Sequence, residues 1–375
     1  MNIGFDGKRA ANNLTGLGNY SRSLVLQLSE FFPQNHYYVY SPKIKQHPQI
    51  DFFLNKGNIH LKLPVSARIK FLWRSFGIKK QLQEDKIEIY HGLSNEIPFG
   101  LKRSAIKTVV TIHDLIFIRF PSNFKYLDRQ IYNLKSKYAC KNADRIIAIS
   151  EQTKKDIVEC YQIAPSKIDV VYQSCDDSFK QLIGHELKEA VRIKYSLPEK
   201  FILNVGTIEI RKNLLLIVKA LKDIDPHVKL VVVGKKQAYA ATVIAEIEKS
   251  GLSDRVIFLK DIPFNDLPAI YQLASVFVYP SFYEGFGIPI IEALFGGIPV
   301  VAATGSCLEE AGGPDSLYVD PKDAPALAAA INSILLNPQL ANVMREKGLR
   351  YVQQFNAAPI AKQLMECYTN ILANS

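Results

Sequence analysis

The sequence lacks three features that would place the chain in other protein classes. No apolar run approaches the roughly 18–20 residues that a membrane-spanning helix needs. The first residues, Met1–Lys8, enter a strand pattern without the apolar core of a secretory signal. The five cysteines are scattered and contain no Cys-x-x-Cys pair, which argues against a disulfide framework and a zinc site. We therefore expect free thiols and a cytoplasmic protein.

Repeats of fixed period and low-complexity segments are also missing, so the chain is globular. Its 375 residues, 48% apolar and 22% charged, suit two domains of ordinary size. The net charge of +10 is uneven, because residues 1–180 hold 27 Lys+Arg and 16 Asp+Glu, and the remainder holds 19 and 20. Such an excess of positive charge in one half indicates an anionic partner, either an acidic membrane surface or nucleic acid.

The segment Arg68–Lys80 carries part of this charge. Four apolar residues recur in it at helical spacing with basic residues around them: Ile69, Leu72, Trp73 and Phe76. A basic amphipathic helix of this kind can lie peripherally on an anionic membrane. The alternative is that the apolar stripe packs on the protein's own sheet while the charges face water. A nucleic-acid-binding protein would need interleaved surface aromatics or a helix-turn-helix pattern, and the sequence has neither.

Short apolar runs alternate with helical patterns along the whole chain. The strand candidates are Ile3–Phe5, Tyr37–Tyr40, Ile87–Tyr90, Thr108–Ile112, Arg145–Ile149, Ile168–Val171, Phe201–Val205, Lys229–Val233, Val256–Leu259, Val276–Tyr279 and Val300–Ala302. Nearly continuous Val, Ile and Leu is typical of strands covered on both faces, and the helices between them predict parallel sheets. Because the polar stretch 174–189 separates two such series, we predict two doubly wound, Rossmann-like α/β domains, residues 1–180 and 190–355, facing a cleft.

The most informative stretch is Ser281–Ala293, which joins a strand pattern to a helix. Its glycines, among them Gly287, let the backbone approach a ligand closely, and Pro289 suits the first helical turn. The N–H groups at such a helix start form an anion site suited to phosphate. Glu284 and Glu292 flank that site, where carboxylates accept hydrogen bonds from hydroxyls. A diphosphate with a hydroxyl-rich ring at each end fits, which indicates a nucleotide sugar.

The spacing of those two glutamates carries no weight by itself. The pairs Glu88/Glu96 and Glu151/Glu159 share it. The latter pair falls in an amphipathic helix that Ser150 caps, so we interpret it as a solvated face.

Two cations occupy a comparable position earlier in the second half. Arg211 and Lys212 follow the strand Phe201–Val205 and precede a helix. Cations at that position can neutralise a diphosphate. The alternative is a charged surface loop.

In the first half, Gly16 and Gly18 open the first long helix. They lie about ten residues past the strand and are followed by Ser21, so the dinucleotide-binding fingerprint fails. A loop that approaches a ligand through its backbone and a plain helix-entry turn both remain open. His113 ends the Thr108–Ile112 strand at the edge where α/β proteins place their chemistry, whereas we expect His91 to be structural.

Taken together, these motifs resemble the retaining glycosyltransferases of family 4, which have the GT-B fold. The resemblance covers essentially the whole chain and is carried by Gly16–Tyr20, Thr111–Leu115, Ile149–Thr153, Gly206–Leu214, Ser281–Glu292, Glu310–Gly313 and Tyr318–Pro321. The segment Thr207–Asn213 is similar to bacterial mannosyltransferase-like enzymes that build polysaccharides.

The resemblance implies a catalytic and a donor-binding set of residues. The catalytic set is His113, Arg211, Lys212 and Glu284, and the donor-binding set is Gly16, Gly18, Arg211, Lys212, Phe286, Gly287, Ile288 and Glu292. Many relatives carry arginine directly after the glycine that matches Gly206, where this chain has Thr207. The second cation on the diphosphate must then come from Arg211.

The resemblance also implies that the enzyme has no Asp-x-Asp metal site and no cofactor. The configuration at the anomeric carbon would be retained, by front-face attack within a short-lived ion pair. A closing helix over residues 356–375 would cross back onto the first domain. The expected reaction moves a hexose, mannose from GDP-mannose, to a lipid-linked or polysaccharide acceptor at the inner face of a membrane. A UDP-glucose or UDP-N-acetylglucosamine type of donor, a nucleotide-sugar epimerase and a sugar phosphorylase are the alternatives on the same fold.

Overall fold

A computed structural model describes residues 1–14, 16–64 and 73–373. Its backbone contacts divide the chain into two compact units, Met1–Gln173 with Ala357–Ser375, and Ser174–Asn356. The chain therefore leaves the first unit at Gln173 and returns to it at Ala357. The sequence predicted the first domain boundary between residues 180 and 190 and the start of the closing helix at residue 356.

The first unit is a parallel sheet with helices on its faces. Its described strands are β1 (Asn2–Asp6), β2 (His36–Tyr40), β3 (Ile59–Lys62), β4 (Ile89–Gly92), β5 (Lys107–Ile112), β6 (Arg145–Ala148) and β7 (Ile168–Val170). Its described helices before the second unit are α1 (Gly16–Phe31), α2 (Pro48–Leu54), α3 (Ile78–Glu84), α4 (Ile116–Arg119), α5 (Tyr126–Asn142) and α6 (Glu151–Tyr161). Within the described ranges the strand order is β3-β2-β1-β4-β5-β6-β7, and every pairing is parallel.

The second unit repeats this design. Its strands are β8 (Phe201–Val205), β9 (Lys229–Val233), β10 (Val256–Leu259), β11 (Val276–Tyr279), β12 (Val300–Ala303) and β13 (Leu317–Val319). Its helices are α7 (His185–Lys194), α8 (Leu214–Ala220), α9 (Ala240–Lys249), α10 (Leu267–Leu273), α11 (Ile288–Phe295), α12 (Leu308–Gly312), α13 (Ala324–Leu335) and α14 (Pro338–Tyr351). The strand order is β10-β9-β8-β11-β12-β13, again all parallel.

The apolar strands form the cores because helices cover both faces of each sheet. In β11 all four residues are buried, and in β9 only Lys229 is not. A closing helix, α15 (Ala357–Ala373), packs on α1, and the hydroxyl of its buried Tyr368 lies 2.6 Å from His91 Nδ1. Ser150 caps α6 as predicted, since its Oγ accepts the N–H of Thr153 at 3.0 Å. No helix in the described ranges is both long and apolar enough to cross a membrane.

The predicted amphipathic segment Arg68–Lys80 needs a correction. Its first residues, Arg68–Leu72, lie outside the described residues. Trp73 is buried beside Tyr40, with ring centroids 6.5 Å apart. The Arg74 guanidinium lies between two carboxylates, 2.6 Å from Asp6 and 2.5 Å from Glu96. The burial of Trp73 agrees with the alternative in which the apolar stripe packs on the protein itself, and it contradicts the membrane interpretation for this residue. The expectation that Arg74 faces water or a membrane was wrong, because its partners Asp6 and Glu96 come from elements that are distant in sequence.

Candidate active site

Two loops that are distant in sequence meet at the carboxyl edge of the second sheet. They follow β8 and β11, which pair in parallel, so both strands end at the same edge. Asn213 fastens the first loop, because its Nδ2 donates to the carbonyls of Pro280 at 3.1 Å and Pro321 at 2.7 Å. Its φ of +56° is a left-handed conformation that asparagine tolerates better than most residues. The backbone N–H of Phe282 donates to the Arg211 carbonyl at 2.9 Å and joins the two loops directly.

This junction brings Arg211, Lys212 and Glu284 together. Arg211 Nη1 lies 2.6 Å from Glu284 Oε2, and Lys212 Nζ lies 3.1 Å from Glu284 Oε1. The Tyr279 hydroxyl at the end of β11 donates to Glu284 Oε1 at 3.0 Å and receives Lys212 Nζ at 2.5 Å. On the far side of Arg211, Glu209 accepts its Nη2 at 2.5 Å. Sequence reasoning found three of these residues and missed Tyr279 and Glu209. The only signal for Tyr279 was its position at the end of β11, and that for Glu209 its position in the loop after β8.

The cluster is charged and pre-organised. Burial alone would raise the pKa of Glu284, but the attraction of Lys212 and Arg211 outweighs it and holds that pKa below the ordinary value. Burial would lower the pKa of Arg211 and of Lys212, yet Glu284 raises the pKa of Arg211, and Tyr279 and Glu284 together raise that of Lys212. Arg211, Lys212 and Glu284 are therefore ionised together at neutral pH. Both cations can therefore bind a phosphate group without a change in protonation.

Helix α11 begins beside this cluster. Its N-cap, Gly287, has φ +134°, and a Cβ there would lie 3.1 Å from the Ala311 Cβ, so only glycine fits without strain. The buried Cys307 thiol donates to the carbonyls of Glu284 at 3.1 Å and Phe286 at 3.0 Å. These contacts fix the backbone from Glu284 to Ile288, where the predicted donor-binding N–H groups lie. No sequence pattern indicated this role for Cys307.

Glu292, one turn into α11, lies in a different environment. Its Oε2 accepts the Tyr271 hydroxyl at 2.8 Å. Burial raises the pKa of Glu292 to about 7, although the hydrogen bond from Tyr271 opposes that rise. The carboxyl group therefore changes its charge near neutral pH.

We expect this titration to govern ligand affinity. The ionised carboxylate accepts hydroxyl hydrogen bonds more strongly than the neutral acid, so affinity for a nucleotide-diphosphate sugar should rise several-fold between about pH 6 and pH 8. Glu292→Gln should remove that rise, and the matched substitution of the exposed Glu248 to glutamine should keep it. Calorimetric titration at three pH values measures this. A pH dependence that survives in Glu292→Gln would assign it to another group.

The first unit holds the remaining predicted residues, Gly16, Gly18 and His113. The two glycines differ in their surroundings. A Cβ at Gly18 would lie 1.8 Å from the backbone oxygen of Asn13, whereas no atom lies within 4 Å of a Cβ at Gly16. Gly18 therefore allows α1 to pack against the preceding loop, and the space around Gly16 is open. The ring of Tyr20 packs edge-on against His113 with centroids 4.7 Å apart, so the helix start and the end of β5 meet.

His113 is buried with both ring nitrogens engaged. Nε2 lies 2.9 Å from the carbonyl of Leu93, which can only accept, so this nitrogen carries the proton. Nδ1 lies 3.0 Å from the Gln173 amide nitrogen and accepts from it. Burial lowers the pKa of His113 to about 4, although the hydrogen bond to Leu93 opposes this. The imidazole is neutral at physiological pH. His91 is likewise buried, between Tyr368 and Thr111, and is structural as expected.

Among the described side chains, no three His, Cys, Asp or Glu residues gather as a metal site requires. The sequence does contain one Asp-x-Asp triplet, Asp223–Asp225, just before β9 begins at Lys229. That is the amino edge of the sheet, opposite to the edge that carries Lys212 and Glu284. Independence from metal remains a prediction.

The comparisons with known proteins agree over nearly the whole chain. Residues 188–351 match the family Glycosyl transferases group 1, and residues 15–179 match Glycosyltransferase Family 4. The O-antigen chain mannosyltransferase B of Escherichia coli is 28% identical over 371 residues, which are 95% of this chain and 96% of that protein. The D-inositol 3-phosphate glycosyltransferase of Corynebacterium glutamicum is 25% identical over 315 residues, 80% of this chain and 75% of that protein.

Solved structures show the same fold. Sucrose-phosphate synthase of Thermosynechococcus elongatus has a TM-score of 0.79 at 23% identity and covers all of both chains. HepE of Anabaena, solved with UDP, has a TM-score of 0.76 at 17% identity over 99% of this chain and all of that chain. With two parallel-sheet units and both family matches, this chain is a glycosyltransferase of the GT-B fold that belongs to the group 1, family 4 glycosyltransferases.

Proposed function

We propose that the protein transfers mannose from GDP-mannose to a lipid-linked or polysaccharide acceptor during surface-glycan synthesis. The observation that carries the proposal is the cluster of Lys212, Arg211 and Glu284 beside the start of α11. It offers two cations for a diphosphate and a carboxylate for sugar hydroxyls. The choice of mannose is supported by a relative that aligns with 95% of this chain and is named an O-antigen chain mannosyltransferase.

In this proposal the second unit binds the donor and the first unit binds the acceptor. A carboxylate accepts about four hydrogen bonds, so Glu284 can hold hexose hydroxyls while its cations stay in place. As the bond from sugar to phosphate breaks, negative charge grows on the diphosphate, and Arg211 and Lys212 stabilise it without a metal. The acceptor hydroxyl then attacks from the same face within a short-lived ion pair and passes its proton to the departing diphosphate oxygen, so the configuration is retained.

In this proposal His113 does not move a proton. Its neutral ring already uses both nitrogens, one on Leu93 and one on Gln173. A general base in this place would need a free nitrogen and a pKa nearer to neutral.

A donor of the UDP-hexose type is the second candidate. HepE, which shares the fold, was solved with UDP and glucose. The cation cluster binds the diphosphate of either nucleotide, so it does not discriminate between the bases.

Calorimetric titration tests the proposal directly. We expect the purified protein to bind GDP and GDP-mannose, and not UDP or UDP-glucose, with the same affinity in the presence of EDTA. Glu292→Ala should weaken binding, and the matched Glu248→Ala should not. Binding of the UDP pair alone would favour the second candidate, whereas a loss of affinity in EDTA would contradict metal independence. A new sugar nucleotide formed from donor without acceptor would indicate an epimerase or a phosphorylase.

A further inference from the structure

One helix of the first unit exposes large apolar side chains to solvent. Along α5, the exposed fraction is 66% for Tyr126, 73% for Leu127, 51% for Ile131 and 68% for Leu134. Leu127, Ile131 and Leu134 are spaced by four and three residues, so they form one stripe along the helix. The opposite face of α5 is buried through Ser136, Ala139 and Cys140. Scattered apolar residues are ordinary on a surface, but a contiguous stripe marks an interaction site.

An aromatic ladder extends this stripe. The Tyr138 ring, on the same helix, packs on Phe99 with centroids 4.4 Å apart. Phe99 stacks in turn on Phe76 at 5.0 Å, and Phe76 is 63% exposed. The Tyr138 hydroxyl accepts the backbone N–H of Gly100 at 3.0 Å, which holds the ladder in place. We call Phe76, Tyr126, Leu127, Ile131 and Leu134 the apolar face.

The charges around the apolar face are positive. Residues 125–141 contain five basic side chains and one acidic side chain. Lys135 is engaged with Glu96 at 2.8 Å, whereas Lys125, Lys137 and Lys141 are exposed. Large apolar side chains with lysines beside them match an anionic bilayer, which offers acyl chains and negative headgroups together. A second copy of this surface would bring like charges together, and nucleic acid would leave the aliphatic side chains without a partner.

The stripe Leu127, Ile131 and Leu134 lies on the half of α5 that is nearer to the carboxyl edge of the sheet. α5 connects β5 to β6, and Asp144, just after α5, accepts the N–H of Thr108 at the start of β5 at 2.7 Å. The helix therefore ends at the amino edge of the sheet. Its first half, which carries the stripe, lies toward the carboxyl edge, where His113 follows β5.

We propose that the apolar face of α5 docks the protein on an anionic lipid bilayer. Leu127, Ile131 and Leu134 enter the interface, and Lys137 and Lys141 contact negative headgroups. Of the described residues in the segment suggested by the sequence, this surface includes Phe76, whereas Trp73 and Arg74 are buried inside the unit. It deepens the proposed function, because a membrane-docked first unit suits a lipid-linked acceptor. The docking itself requires neither donor nor transfer.

Vesicle sedimentation tests the docking with the full chain. We expect the protein to pellet with vesicles of phosphatidylcholine and phosphatidylglycerol, to do so less at high salt, and to stay in solution with phosphatidylcholine alone. The triple variant Leu127→Gln, Ile131→Gln, Leu134→Gln should bind at least about tenfold more weakly. Its matched control is Leu182→Gln, Ile193→Gln, Leu336→Gln, because those side chains are 90%, 76% and 79% exposed in the second unit. The control should bind like the wild type.

Each other outcome overturns the proposal. A triple variant that pellets like the wild type, or a wild type that ignores anionic vesicles, would do so. A wild type that dimerises without vesicles while the triple variant is monomeric would make the face a self-interface. Lys137→Glu with Lys141→Glu should reduce binding to anionic vesicles, and unchanged binding would overturn the proposal, because the lysines would then not contact the headgroups. Thermal unfolding of the triple variant reports folding, and titration of the wild type with GDP-mannose reports the proposed function, so a failure of docking is distinguished from a failure of the proposed function.

Discussion

Replacing Lys212 with alanine should lower kcat for sugar transfer by about 10²–10³-fold and leave the protein folded. Lys212 Nζ is held between the Tyr279 hydroxyl and Glu284, at 2.5 Å and 3.1 Å, so its position is fixed before any ligand arrives. A fixed cation in a partly buried site stabilises the charge that develops on a leaving diphosphate far better than a mobile one in water. Arg211 still pairs with Glu284 in the variant, which is why we expect the fold to survive.

Steady-state kinetics with donor and acceptor measure this effect, and thermal unfolding checks the fold. The matched control is Lys219→Ala, because Lys219 is exposed on the neighbouring helix α8 and should keep the activity of the wild type. We expect kcat to fall more than donor affinity does, since the charge to be neutralised is greatest in the transition state. A folded Lys212→Ala enzyme within tenfold of the wild-type kcat would show that other groups neutralise the diphosphate.

The strands of the second unit illustrate what can be predicted from the sequence. β8, β9 and β11 have the limits that their apolar runs predict, because central strands of a parallel sheet are covered on both faces and consist almost wholly of apolar residues. β10 also has its predicted limits although it lies at the outer end of the sheet, since all four of its residues are apolar. β3 and β13 were missed. Both lie at the outer end of a sheet and are only partly buried, so their sequences carry a weaker apolar signal.

The candidate site shows where prediction from sequence stops. Residue types and strand ends were enough to select Lys212 and Glu284, but their contact depends on β8 and β11 being neighbours in the sheet. That adjacency is a long-range property, so Tyr279 and Glu209 could not be assigned to the cluster in advance. Arg74 illustrates the same limit, because its partners Asp6 and Glu96 come from other elements and turn an apparent surface charge into a buried one.

Gly18→Ala should be far more damaging than Gly16→Ala, although the motif presents the two glycines as equivalent. A Cβ at Gly18 would lie 1.8 Å from the Asn13 oxygen and 2.6 Å from its carbonyl carbon, so helix and loop must move apart. Overpacking against backbone costs about 1–3 kcal/mol or more, and we expect Tm to fall by roughly 5–10 °C. The displaced α1 would also shift Tyr20 from His113, so transfer should fall as well.

Gly16→Ala is the control that the chain itself supplies. A Cβ at Gly16 meets no atom of the described residues within 4 Å of it outside its own helix and chain neighbours. The free energy of unfolding should therefore change by no more than about 0.5 kcal/mol, and Tm should change little. If the donor diphosphate approaches this backbone, as the family resemblance implies, the added methyl group should raise KM for the donor in a protein that is otherwise intact. Thermal unfolding and donor-dependent kinetics on both variants separate packing from ligand approach. Equal Tm values for the two variants would mean that Gly18 has no special packing role. An unchanged KM in Gly16→Ala would show that the ligand does not approach the start of α1.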